Sequence, residues 1–189
     1  MNNKFLTFIN PYLSFIDNGH LFRKPFSILY AILGILNLII PIAVLFMAIA
    51  NNIFRYSGIF GFLLIWIVIA FAGWCSFQLW WNRKSKLKEI ANEGDEFVAT
   101  PVFSHLIQTI GEWLGTWIGL VGFGSGLITA LGIGGRDEVT VQIIGAFQGL
   151  GWVSIFIMPI FGFLIILLAR FLAEQFRALT SIANNTNKH

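Results

Sequence analysis

The spacing of charged residues constrains this chain more than any other feature. No Asp, Glu, Lys or Arg occurs from Pro25 to Phe54, from Tyr56 to Asn82, from Trp113 to Gly135 or from Val139 to Ala169. A helix needs about 20 apolar residues to cross a hydrocarbon core of about 30 Å. Each of the four stretches reaches that length. Only a structure that satisfies its own backbone hydrogen bonds is stable in lipid, and a helix does so within one segment. The sequence therefore predicts an all-α, polytopic membrane protein with four transmembrane helices. The predicted spans are 26–50, 57–81, 113–135 and 142–168.

Composition agrees. The chain is 57% hydrophobic and 11% charged, with 20 Phe and 7 Trp among its 189 residues. Soluble domains carry roughly 25% charged residues, so too few charges are present to cover a water-facing surface. The formal net charge is +3, and no dense basic tract interleaves with aromatics as in nucleic-acid binders. Cys75 is the only cysteine and lies in an apolar run, so it reads as a packed thiol. No metal-ligand spacing and no cofactor motif is present. There is likewise no Walker motif, HExxH or Ser–His–Asp set, so the chain reads as no enzyme.

Lys and Arg set the orientation. Lys4, Arg23 and Lys24 precede span one. Arg83, Lys84, Lys86 and Lys88 follow span two, and Arg170, Arg177 and Lys188 follow span four. The other side holds only Arg55 and Arg136. The positive-inside rule places both termini in the cytoplasm, in what reads as a bacterial cytoplasmic (inner) membrane. Trp80, Trp81, Trp113 and Trp117 then fall at the inner interface, where an aromatic belt is expected. Ala48-Ile49-Ala50 resembles a signal-peptidase site, but the apolar run before it is too long for a signal peptide. Span one reads as an uncleaved anchor.

The whole chain, 1–189, reads as one membrane domain. Residues 1–24 read as an interfacial segment with an N-terminal amphipathic helix, from Phe5, Leu6, Phe8, Ile9, Tyr12, Leu13, Phe15 and Ile16. Pro25 is expected in the first turn of span one, and Pro41 is expected to kink it. Residues 82–100 form a polar loop, basic first and then acidic. Thr100-Pro101 reads as a helix start, so span three carries a cytoplasmic extension over 101–135. Span four extends similarly over 142–181, with Arg170, Glu174 and Arg177 spaced for ion pairs along one face. Residues 182–189 form a tail.

Two patterns inside the spans are candidates for function. Gly111, Gly115, Gly119, Gly122 and Gly126 lie within about 80° of one helix face, and Gly145 and Gly149 repeat the four-residue spacing. Small residues let helix backbones approach closely in lipid. The partner is span four, a second copy or another membrane protein. The run through Gly122–Gly126 leaves open whether span three is one helix or bends there. The second pattern is His105, Gln108, Thr109 and Glu112, which share one face within about 100°. His105 and Glu112 stand two turns apart, about 10 Å, too far for a direct hydrogen bond. Arg170 is placed to reach this face from span four. Ionisable groups in membranes often serve function, but adjoining Trp113 puts Glu112 at the bilayer's edge.

The expected function is a non-catalytic subunit or scaffold of a membrane assembly, packing through glycine faces. Its partners would be lipid and a homo-oligomer or other membrane subunits. In that reading Glu112→Gln has little effect. The alternative is a small channel or transporter using the His105–Glu112 face. A lipid-modifying enzyme at the interface is the weakest reading, because no nucleophile–base pair stands out.

Overall fold

A computed structural model describes residues 9–11, 14, 20–52, 54, 59–87, 89–90, 99–133 and 150–186. Four helices are long and apolar enough to cross a membrane, and no strand occurs among the described residues. They are α1 (His20–Ala50), α2 (Ile59–Lys86), α3 (Ala99–Ala130) and α4 (Ser154–Thr186), with a 3-10 turn Gly151–Val153 before α4. The all-α, four-helix membrane fold therefore stands. Residues 1–8, 12–13 and 15–19, and with them most of the expected interfacial helix, lie outside the described residues.

The helix ends differ from expectation for local reasons. α1 begins at His20, so Pro25 lies inside the helix rather than in its first turn. Its missing N–H forfeits one intrahelical bond. At the other end of α1, Asn51 N–H donates to the Met47 carbonyl at 3.0 Å, and Asn52 adopts φ 54°. Asn tolerates this left-handed conformation, which commonly closes a helix. α3 starts at Ala99, so Thr100 lies within the first turn and Pro101 sits where a missing N–H costs little.

α3 runs unbroken through Gly122–Gly126 but stops five residues before Gly135. Ile133 N–H donates to the Ile128 carbonyl at 3.2 Å and Gly132 N–H to that of Thr129 at 3.1 Å. Gly132 has φ +66°. This paired closure with a left-handed glycine is a Schellman motif. Ile133 folds back onto Ile65, Ile69 and Ile128. α4 begins at Ser154 rather than near 142, because the chain turns at Gly151 with φ +53°. It runs on to Thr186, past the expected 181. Gly145, Gly149, Gln142 and Gln148 fall outside the described residues.

The helices form a row rather than a closed ring. α1 packs on α2, α2 on α3 and α3 on α4, with only a slight α1–α3 contact besides. Registers are antiparallel throughout. Asn37 of α1 joins α3, because Trp113 and Trp117 both donate their indole N–H to Asn37 Oδ1, at 2.8 and 2.9 Å. Trp80 is buried against Tyr30 and Trp113. Of the four tryptophans assigned to an interfacial belt, only Trp81 is well exposed; Lys84 lies over its ring at 4.6 Å. Trp113 and Trp117 turn inward to the acceptor Asn37 Oδ1, which hydrocarbon could not supply, whereas Trp80 is buried with its indole N–H unpartnered among the described residues. Asn37→Leu should leave the Trp113 and Trp117 indole donors unpaired and lower stability by about 2 kcal/mol. Thermal unfolding in detergent measures this, and an unchanged midpoint would contradict it.

Close backbone approach depends on glycine at several points. Pro41 leaves the Asn37 carbonyl without its helical donor. That carbonyl faces Gly73 of α2, where an added Cβ would lie 2.6 Å from the oxygen. Along α3, a Cβ on Gly111 would meet Ala169, one on Gly115 the Gly162 carbonyl, one on Gly122 Met158 and one on Gly126 Ser154. The α3 glycine face is thus turned to α4 of the same chain.

Candidate functional site

The apolar stretches of α2, α3 and α4 end at one common level. From Trp113 to Ala130 α3 rises about 27 Å, close to the thickness of a hydrocarbon core. At that level Arg83 of α2, Glu112 of α3 and Arg170 of α4 converge. This end of the bundle is called the basic end here.

Glu112 is the hub. Its side chain is 6% exposed, against 20% for Arg83 and 51% for Arg170. Arg83 grips both carboxylate oxygens, Nε donating to Oε2 at 2.8 Å and Nη2 to Oε1 at 2.7 Å. Such a bidentate fork is the strongest common protein ion-pair geometry. Arg170 donates to Oε1 through Nε at 3.0 Å and Nη2 at 2.8 Å. Gln108 Nε2 adds a bond to Oε1 at 2.9 Å. Arg177 closes a second layer one turn further from the membrane, donating from Nη2 to Gln108 Oε1 and from Nε to Ser104 Oγ at 3.2 Å. Three helices are therefore tied by charge-assisted bonds where their apolar stretches end.

His105 and Thr109 belong to a separate unit. The Tyr30 hydroxyl of α1 lies 2.9 Å from His105 Nδ1 and donates weakly to Thr109 Oγ1 at 3.4 Å. The Tyr30 and His105 rings stack with centroids 5.6 Å apart. Thr109 Oγ1 donates to the His105 carbonyl at 2.7 Å. The four-residue polar face thus divides between two neighbours. His105 and Thr109 turn to α1, while Gln108 and Glu112 turn to the arginines of α2 and α4.

The structure brings Arg170 to Glu112. It does not pair Arg170 or Arg177 with Glu174. Both arginines reach across to α3, Arg170 to the Glu112 carboxylate and Arg177 to Gln108 Oε1 and Ser104 Oγ. Glu112 is a buried carboxylate holding two guanidiniums rather than a solvated edge residue, so Glu112→Gln is expected to have an effect on stability. Sequence reasoning missed Arg83, which stands in the polar loop beside three other basic residues with nothing to single it out. Tyr30 and Arg177 were missed as partners, as were Gly73, Gly124 and Gly162 as points of close approach.

No family model, curated protein or solved structure matches this chain. The geometry alone therefore bears on its chemistry. Two clefts flank Arg83 at the basic end. One, of about 710 Å³, is lined by Arg83, Lys86, His105, Gln108 and Arg177 among others. His105 is 3% exposed, and its Nε2 has no partner. The second, of about 690 Å³, lies over Glu112 between α2 and α4. Among the described residues no group of His, Cys, Asp or Glu is arranged to hold a metal ion.

Proposed function

We propose that this chain is a non-catalytic, multi-pass subunit or scaffold of a membrane assembly. It resides in a bacterial inner membrane with both termini in the cytoplasm, as the distribution of Lys and Arg indicates. One observation carries the reading. Glu112, the acidic member of the candidate polar face, is engaged by Arg83, Arg170 and Gln108. A carboxylate so held is suited to locking helices and poorly suited to passing a proton or cation.

The open row of helices supports the same reading. α4 rests chiefly on α3, and its outer face carries exposed Phe156, Ile160, Phe163 and Leu168. α1 exposes Ile28, Ile35, Ile42 and Phe46. The α3 glycines meet α4 within the chain, so a second copy or another subunit would use these outer faces instead. Blue-native electrophoresis in mild detergent should show a species larger than the monomer. Phe156→Ala with Phe163→Ala should shrink it, and Gly119→Ala should not. Monomer alone in the wild type would contradict the subunit reading.

The unpartnered His105 Nε2 beside the larger cleft favours a second reading, a small channel or transporter. Proteoliposomes distinguish the two. A proton or cation flux abolished by His105→Ala would establish transport, and the absence of flux in the wild type removes it.

A further inference from the structure

The second cleft has an architecture that the helix-locking role of Glu112 does not explain. Its floor is Glu112 and Thr116 of α3. One wall is Leu79, Arg83 and Lys86 of α2, and the other is Ile166 and Arg170 of α4. α2 and α4 both lean on α3 and barely touch each other, so the cleft is a groove between them. It is apolar at the membrane end, at Leu79 and Ile166, and cationic at the basic end.

Among the described residues the charges do not balance: three cations, Arg83, Lys86 and Arg170, line the groove with two carboxylates, Glu89 and Glu112, which leaves one positive charge over. Glu112 Oε1 already accepts from Arg83, Arg170 and Gln108, and Oε2 from Arg83, so the second guanidinium is matched at one oxygen alone. Arg170 is half-exposed and lines the groove. Guanidinium forks match the geometry of phosphate oxygens, and a Lys beside them adds a point charge. The volume of about 690 Å³ falls within the roughly 300–1,000 Å³ usual for small-ligand sites.

We infer that this groove binds a phosphate group, carried by an anionic phospholipid whose headgroup sits at Arg170 and Lys86 and whose acyl chain runs past Ile166 and Leu79. The level of the groove favours the lipid source over free phosphate. Arg170 stands where the apolar stretch of α4 ends, and Ile166 is one turn further into it. A soluble anion would have no use for that apolar end. Basic residues at a membrane surface attract anionic headgroups in any case; the groove adds a defined place between two helices. The inference rests on the four-helix membrane fold and not on the subunit reading.

Native mass spectrometry of the full chain in mild detergent tests it, with phosphatidylglycerol, phosphatidylcholine and inorganic phosphate as probes. One phosphatidylglycerol should be retained in preference to phosphatidylcholine. Lys86→Gln and Arg170→Gln should each lower that preference roughly fivefold. Lys86 takes no part in the bonds to Glu112, so Lys86→Gln answers the question even if Arg170→Gln fails to fold. Millimolar inorganic phosphate should leave the bound lipid in place. Phosphate that displaces the lipid and itself stays bound would keep the phosphate chemistry and overturn the lipid source. Equal retention of both lipids, or a preference unchanged in both variants, would overturn the site. The number of subunits per complex does not enter the readout.

Discussion

Glu112→Gln should destabilise the folded protein by about 3 kcal/mol. Removing one partner of a buried ion pair typically costs about 3–5 kcal/mol, because the remaining charge is left desolvated and unpaired. Here two guanidiniums lose their acceptor. Arg83 is the more severe loss, since its side chain is 20% exposed, while Arg170, at 51%, recovers part of its hydration. The lower end of the range is therefore expected. The amide retains the shape of the carboxylate and one acceptor oxygen, so the helices still assemble at low temperature. Thermal unfolding in detergent, followed by circular dichroism, measures the loss. A midpoint within a degree of the wild type would show that Glu112 is solvated after all.

The second large effect is expected at Gly115. A Leu side chain there would occupy the place of the Gly162 carbonyl and the Ile166 side chain. The carbonyl is part of a helix and cannot move aside, so α3 and α4 must separate. Overpacking usually costs about 1–3 kcal/mol, and a clash with backbone belongs at or above the top of that range. The contrast with Gly119 makes the prediction specific. A Cβ at Gly119 would find Pro159 Cα at 3.7 Å, an ordinary contact. Gly119→Ala should leave stability unchanged or slightly higher, since Ala forms helix better than Gly by about 1 kcal/mol. Disulfide crosslinking between cysteines placed at facing positions of α3 and α4, with Cys75 replaced, reports whether the two helices remain paired. Equal efficiency in Gly115→Leu and wild type would contradict the packing described.

The fold was largely legible in the sequence because lipid imposes one dominant rule. Long uncharged segments must be helices, so the gaps between charges located all four. Boundaries were harder. The ends at Gly132 and Gly151 are set by single left-handed glycines among many that are not, and composition does not separate them. The candidate site was half legible. Helical spacing placed His105, Gln108, Thr109 and Glu112 on one face, and Arg170 within reach. It carried no information on which neighbouring helix each would meet. That depends on the order of helices in the row, which placed α1 beside His105 and let Arg83 of α2 come first to Glu112. Gly111, Gly115, Gly122 and Gly126 of α3 face α4 in the structure. Their partner could not be read from one helix alone, since the complementary residues Met158, Gly162 and Ala169 do not form a recognisable motif of their own.

The central claim is that Glu112 joins α2 to α3 through Arg83 as an energetic unit. A double-mutant cycle with Arg83→Gln, Glu112→Gln and the double variant measures that coupling most directly. The account predicts that the double variant is more stable than the sum of the single losses by about 2 kcal/mol, because removing both partners leaves no buried charge from this pair unmatched. Additive losses, with no coupling between the two positions, would contradict it.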